Sequence, residues 1–122
     1  MKKPFELSKS RAAKPVTFVG SSLDDLRDLP KGVKRQVGFQ LDKVQYGEAP
    51  DDMKPMPAIG NGAAEIRIRD EAGAFRAVYV AKFEDAVYVL HVFQKKTQKT
   101  AQKDLDLATA RYKEMALMRR RI

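Results

Sequence analysis

Two β-rich segments of the chain carry charged side chains at alternate positions. In "AEIRIR", residues 64–69, Glu65 and Arg67 are two residues apart, and "FRAVYVAKF", residues 75–83, contains Arg76. Residues two apart on a strand point to the same side of a sheet. Guanidinium groups bind phosphate oxygens through paired N–H donors, so arginines on one face would suit a phosphodiester. We interpret Glu65 first as the orienting partner of these arginines.

A third segment, "AVYVLHVFQKKTQK" (86–99), is apolar and then basic, and it contains His91, the only histidine. Histidine can transfer protons near neutral pH, but on an apolar strand it is also a common structural residue. Phe93 either stacks on an RNA base or packs under a helix. Three lysines follow, which either contact phosphates or form a solvated cationic run: Lys95, Lys96 and Lys99.

The connections between these segments predict how the strands face one another. A tight hairpin at Glu84-Asp85 predicts the pairs Phe83 with Ala86, Val80 with Val89, Val78 with His91 and Arg76 with Phe93. A turn across "DEAG" (70–73) predicts Arg67 opposite Arg76 and Glu65 opposite Val78. Opposite residues share a side of the sheet. The expected patch therefore consists of Glu65, Arg67, Arg76, His91 and Phe93, with Lys95 at its rim.

The remaining segments predict the elements that support this patch. "VTFVG" (16–20) predicts a strand, residues 21–30 a short helix with a capping box from Ser22 to Asp25, and residues 31–46 a longer helix. Residues 48–62, rich in Pro and Gly, predict a surface loop that carries another cation, Lys54. Residues 100–121 predict an amphipathic helix with one apolar stripe: Leu105, Ala108, Tyr112 and Met115.

These elements predict an α+β fold in the order β-α-α-β-β-β-α. The sheet is expected to be small, mainly antiparallel and four-stranded, with helices on one face and the cationic patch exposed on the other. Residues 1–14, which carry five cations, are interpreted as a loosely ordered basic arm, and residues 15–122 as a single domain.

The amino-acid composition indicates which kinds of partner the protein can bind and excludes some kinds of catalytic site. The 24 Lys and Arg residues exceed the 16 acids, giving a formal charge of +8 that favours polyanionic partners such as RNA. The absence of cysteine excludes disulfides and thiolate chemistry, and one histidine excludes a His-rich metal cluster, so we expect no metal or cofactor. No segment has the apolar length of a signal peptide or a membrane span, which predicts a cytoplasmic protein without membrane contact.

The element order, with "EIRIR", "FRAVYVAKF", "AVYVLHVFQKKTQK" and "AQKDLDLATARYKEM", resembles the RelE/HigB toxin superfamily, in particular its phage-derived HigB-like branch, over about residues 15–118. The resemblance implies a toxin of a type II toxin-antitoxin system that cleaves mRNA on the ribosome, with the RNA 2'-hydroxyl as nucleophile. It also implies a cognate antitoxin, expected to be a helix-turn-helix protein, in a toxin-antitoxin hetero-oligomer.

The resemblance also implies roles for individual residues. Arg76 matches the arginine expected to bind the scissile phosphate, and Arg67 matches a second basic position. Lys95 and Lys96 lie where family members carry basic or proton-transferring residues. Several relatives place a tyrosine or histidine near that point, whereas this chain has Phe93 and Gln94. The general acid and base therefore stay open between His91 and Glu65.

Two other functions are compatible with the same sequence. A ParE-like inhibitor would keep the fold but bind gyrase and cut no RNA. A basic RNA- or ribosome-binding module without catalytic activity would use the same cations, and its affinity would fall steeply with salt.

Overall fold

The fold is known from a computed structural model that describes residues 13–121. Strand β1 (Val16–Phe18) is followed by helices α1 (Ser22–Arg27) and α2 (Lys31–Gln45). Strands β2 (Met53–Pro55), β3 (Ala63–Asp70), β4 (Gly73–Val80) and β5 (Val87–Lys95) come next, and helix α3 (Gln102–Arg120) is last. Of the predicted arm, only residues 13 and 14 lie within the described part. Lys14 there donates its Nζ to the carbonyl of Ala81.

The strands form one sheet in the order β1-β5-β4-β3-β2, in which β1 runs parallel to β5 and the other pairs are antiparallel. The predicted α+β class is confirmed, but the sheet has five strands and not four. The additional strand, β2, lies inside the predicted surface loop and pairs with β3. Pro55 is tolerated there because β2 is an edge strand, on which a missing N–H need not break the sheet.

The prediction that the helices cover one face is wrong, because they lie on both. Helix α2 packs its valines and Leu41 against the face that contains Ile66 and Phe75. Helix α3 packs on the opposite face, where Ala108 and Met115 contact a cluster that includes Val80 and Leu90. The second face needs this cover because its part near the β4–β5 connection is apolar. No helix in residues 13–121 has the length and apolar character needed to cross a membrane.

The short helix α1 is attached to the sheet by a serine. The predicted capping box is wrong: Ser21 occupies the N-cap position without capping the backbone, and its hydroxyl donates to Asp25 Oδ2 at 3.1 Å. The fully buried Ser22 donates its hydroxyl to the carbonyl of Val89 on β5 at 3.1 Å. A buried hydroxyl needs a hydrogen-bond partner, and here strand β5 provides it.

The register of β3 and β4 agrees with the prediction. Arg67 lies opposite Arg76, and Glu65 lies opposite Val78. The turn is shorter than expected, because Asp70 already pairs with Gly73. The predicted pairing survives because both strands extend to the turn without a bulge.

The register of β4 and β5 agrees only in part. Val78 lies opposite His91 as predicted, but Val80 lies opposite Tyr88 and not Val89. The connection runs from residue 81 to 86, so the predicted tight hairpin with Phe83 opposite Ala86 is wrong. A register shift after Val78 leaves Leu90 as an extra residue, a β-bulge that brings the two strands back into the predicted pairing.

The bulge is held by a buried arginine of helix α3. Arg111 donates through its Nη1 to the carbonyl of Leu90 at 3.0 Å and through its Nη2 to Ser21 Oγ at 2.8 Å. Gly20 makes room for it: with φ of +60°, a Cβ added there would lie 2.6 Å from Arg111 Nε. This arrangement fixes α3 against β5, and the start of α3 borders the site described next.

Candidate functional site

A cationic cleft of about 670 Å³ opens between strands β2, β3 and β4, the end of β5 and the start of α3. Six of the residues singled out in the sequence line it: Lys54, Glu65, Arg67, Arg76, Lys95 and Lys99. Five of these six are cations and one is an acid. Low-dielectric walls concentrate the field of such a cluster and attract anions.

Glu65 lies at the floor of the cleft and is only 3% exposed. Its Oε1 is 3.5 Å from Arg76 Nε and 3.6 Å from Arg67 Nε. These distances are those of ion pairs and exceed the length of a good N–H···O hydrogen bond. Glu65 Oε2 is buried and has no hydrogen-bond partner within the described residues 13–121. The carboxylate thus bridges two arginines through one oxygen and leaves the other without a contact to them.

The two arginines lie side by side because they occupy opposite positions of the β3–β4 ladder. The Arg76 side chain is 12% exposed, and its Nη1 donates to the carbonyl of Phe75 at 3.0 Å. The Arg67 side chain is 36% exposed and also faces Asp52 at 3.9 Å. With Lys54, Lys95 and Lys99 in the same lining, the positive charges of the cleft exceed those that Glu65 and Asp52 can balance. A phosphate group would neutralise part of this excess.

Lysines border the cleft on two sides. Lys54 lines it because β2 places Lys54 directly opposite Glu65, and opposite residues share a face. Lys95, at the end of β5, donates its Nζ to the carbonyls of Thr97 and Gln98 at 2.8 and 2.5 Å. Lys95 therefore shapes the segment that leads to Lys99 and also contributes charge to the cleft.

His91 does not line the cleft. Its Nε2 is 2.8 Å from Asp104 Oδ1 on helix α3, and its ring stacks on Phe93 with centroids 4.6 Å apart. His91 Nδ1 is buried, and no residue in the described part of the chain forms a hydrogen bond with it. The structure therefore favours the structural interpretation of His91 over a role in proton transfer within the cleft.

Phe93 and Lys96 line a different, smaller cleft of about 320 Å³. This second cleft lies between the end of β5, the segment after it and the first turn of α3. Lys95 lines both clefts, so they are neighbours. The structure thus divides the predicted patch into two compartments: Phe93 and Lys96 belong to one, and the arginines to the other.

Sequence reasoning missed Asp104 and several uncharged residues of the cationic cleft. Met56, Gln98, Thr100, Gln102 and Leu105 line that cleft. Asp104 had a signal in the sequence: it lies four residues before Ala108, on the buried stripe of α3, and an acid on such a stripe needs a partner. Its partner could not be read from the helix, because His91 is on another element. Within residues 13–121, no group of three or more acids and histidines is placed to hold a metal ion.

Comparison with known proteins places the chain in a family. The profile of the phage-derived Gp49-like proteins matches residues 24–113, which include the whole of β2 to β5 and most of α3. The chain belongs to this family. No match to this Gp49-like protein was found among curated proteins.

The fold of this family member is also similar to a solved structure. The structure is that of an arginine-to-alanine double mutant of the E. coli toxin RelE in the free state. The TM-score is 0.60 and the sequence identity 19%, with 84% of this chain and 98% of the RelE chain covered. The sequence-based assignment to the RelE/HigB superfamily and its phage-derived branch is confirmed.

Proposed function

We propose that this Gp49-like protein is the toxin of a type II toxin-antitoxin system and that it cleaves mRNA on the ribosome. Family membership and the RelE-like fold support the toxin assignment. The observation that carries the chemical part is the buried Glu65 between Arg67 and Arg76 at the floor of the cationic cleft. This arrangement suits a phosphodiester of a single-stranded RNA that lies along the cleft.

The proposed reaction is attack of an RNA 2'-hydroxyl on the adjacent phosphorus. The bond from phosphorus to the 5'-oxygen breaks, which leaves a 2',3'-cyclic phosphate and a 5'-hydroxyl end. The protein must align the attack and stabilise the extra negative charge on the phosphate. Arg76 and Arg67 carry this charge stabilisation, because their guanidinium groups lie together and their planar N–H donors match phosphate oxygens.

Proton transfer is assigned to Glu65 and Lys95. Glu65, which lines the floor of the cleft and whose Oε2 has no hydrogen-bond partner among residues 13–121, takes the proton from the 2'-hydroxyl. Lys95 uses two of its three ammonium protons on the carbonyls of Thr97 and Gln98. The third is donated to the 5'-oxygen as it leaves. His91 acts only through Asp104 and Phe93, because it does not line the cleft.

The proposed partners are mRNA on the ribosome and a cognate antitoxin. Lys54 and Lys99 extend the cationic lining beyond the two arginines, which suits a polyanion longer than one phosphate. The antitoxin, a small helix-turn-helix protein, restrains the toxin in a hetero-oligomer. The site of action is the cytoplasm, where translated mRNA is found.

The test is induced expression with mapping of mRNA 5' ends. The wild type is expected to stop growth and to create new 5'-hydroxyl ends within translated messages. Arg76→Ala should reduce cleavage by about 10²–10³, the usual cost of removing one group that stabilises developing charge. Arg69→Ala is the matched control, because Arg69 is an exposed arginine on the neighbouring strand β3 that does not line the cleft.

Two results would contradict the proposal. Cleavage by folded Arg76→Ala at the wild-type rate would show that the site is elsewhere. Intact messages together with inhibition of supercoiling by the purified wild type would favour the gyrase-inhibitor alternative.

A further inference from the structure

We infer that the smaller cleft, beside the first turn of α3, binds a nucleobase and selects guanine. The inference rests on the proposed function, since it assigns the base of a nucleotide next to the scissile phosphate. The volume of about 320 Å³ is at the lower end of the range for small-molecule sites, which is about 300–1,000 Å³. Its lining combines an aromatic ring, a carboxylate and lysines.

The carboxylate of Asp104 carries the selectivity. Its Oδ1 contacts His91 Nε2 at 2.8 Å, which holds the side chain in place. Among the described residues no hydrogen bond to Oδ2 is found, and the side chain, which lines the cleft, is 14% exposed. An ionised carboxylate only accepts hydrogen bonds, so the preferred ligand presents N–H donors and no negative charge at this point.

Among the four RNA bases, guanine fits this acceptor best. Its Watson–Crick edge carries two adjacent donors, N1–H and the 2-amino group, which match the two oxygens of a carboxylate. Adenine and cytosine place an unprotonated ring nitrogen beside their amino group, and uracil has a single N–H between two carbonyls. Each of these would direct a lone pair at a carboxylate oxygen, which is repulsive.

Phe93 and the lysines complete the site. Phe93 is 8% exposed and lines this cleft, and the His91 ring stacks on it. Unstacked RNA bases commonly pack against aromatic side chains. Lys96 and Lys103 also line the cleft and can neutralise the phosphates that flank the base.

The cleft proposed to bind the base adjoins the cationic cleft in which cleavage is proposed to occur. Lys95 lines both this cleft and the cationic cleft that contains Glu65 and Arg76. Because the two clefts adjoin at Lys95, a nucleotide with its base beside Asp104 can extend its phosphate past this lysine toward the arginines. The guanine is expected at a constant position relative to the cut.

The first test measures binding of guanosine 5'-monophosphate and inosine 5'-monophosphate to the purified full chain by calorimetry. The two nucleotides differ only by the 2-amino group. We expect guanosine 5'-monophosphate to bind about tenfold more tightly, as befits one hydrogen bond to a charged acceptor. This comparison uses the wild-type protein and so does not depend on the folding of a variant. Equal affinities would overturn the inference.

The second test uses Asp104→Asn, in which the amide can still pair with His91. The preference for guanosine over inosine should disappear, and cuts mapped in cells should lose their constant relation to guanine. Asp106→Asn is the matched control, because Asp106 is exposed, hydrogen-bonded to Gln102 and absent from the cleft. Retention of the guanine preference by Asp104→Asn would refute the role of the carboxylate.

The outcomes separate this inference from the proposed function. RNA cleavage without any guanine preference would overturn the base site and leave the nuclease proposal standing. Guanine-selective binding without RNA cleavage would support the base site and overturn the nuclease proposal.

Discussion

Replacement of Glu65 by glutamine tests whether the buried carboxylate stabilises the two arginines. Glu65→Gln keeps the shape of the side chain and removes its charge. The Glu65 side chain is 4% exposed, and those of its partners Arg76 and Arg67 are 12% and 36% exposed. The substitution would leave two neighbouring guanidinium groups without their shared counter-ion.

The expected loss follows from this burial. Removing one partner of a buried ion pair costs about 3–5 kcal/mol, because the remaining charge stays desolvated. Pairs with exposed partners contribute about 0–1 kcal/mol, so the half-exposed Arg67 adds little. The Glu65–Arg76 distance of 3.5 Å indicates a loose pair. We therefore expect a decrease in the free energy of unfolding of about 3 kcal/mol, the low end of the buried range. In a domain of this size the Tm should fall by about 10 °C or more.

Urea and thermal unfolding of Glu65→Gln, Arg76→Gln and the double variant would measure the interaction directly. The sum of the two single-variant losses in unfolding free energy should exceed the loss in the double variant by about 1–3 kcal/mol. This is the coupling expected of residues in one buried network. Asp52→Asn is the matched control: Asp52 also faces Arg67, at 3.9 Å, but its side chain is 61% exposed. Its removal should cost no more than about 1 kcal/mol.

A loss in the double variant equal to the sum of the two single losses would contradict this prediction, because Glu65 and Arg76 would then stabilise the protein independently. A Glu65→Gln variant as stable as the wild type would also contradict it. In that case the carboxylate does not stabilise the two arginines, and the proposed role of Glu65 in proton transfer would be its only remaining role.

Two further predictions concern charges outside this triad. A hydrogen bond from Arg119 lowers the pKa of Asp85 below its ordinary value of 3.8, so the stabilisation is present above that value and is lost as the pH falls through the lowered pKa. Asp85→Asn should therefore lower the Tm at neutral pH, and the gap to the wild type should close in strong acid; a gap independent of pH would contradict this. For RNA binding, Lys99→Gln should reduce the slope of log affinity against log salt by about 0.7, the value for one phosphate contact on a single strand. Lys31→Gln, on the far side of the sheet, should leave the slope unchanged, and equal slopes for the two variants would remove Lys99 from the RNA path.

The register of β3 and β4 was predictable because it depends on local information. Strict alternation in "AEIRIR" and a short turn leave few ways to pair the strands, and a slip by one residue would expose Ile66 and Ile68. The arginine pair at the centre of the cleft follows directly. The placement of Glu65 beside it has the same origin.

The β4–β5 pairing shows where local information ends. The predicted two-residue hairpin is in fact a longer connection, and Leu90 forms a bulge that restores the pairs around Val78 and Arg76. The carbonyl of Leu90 is held by Arg111, which is 21 residues away in the chain. Nothing in the strand sequence specifies that contact. The predicted pairing at His91 was correct because two errors cancelled: the connection between the strands is longer than predicted, and the bulge at Leu90 was not predicted.

The superfamily was recognised from the resemblance of particular segments, whereas composition and alternation were enough to determine the α+β class, the cationic character and the facing of Glu65, Arg67 and Arg76. These properties depend on side-chain chemistry and on the two-residue period of strands. Only the tertiary structure decided that α3 covers part of the patch and that Asp104 on this helix engages His91. It likewise decided that Lys54 joins the cleft through β2, and that the patch is two clefts and not one. The physical reason is that these contacts join separate elements, and their geometry is set by packing of the whole domain and not by any local pattern.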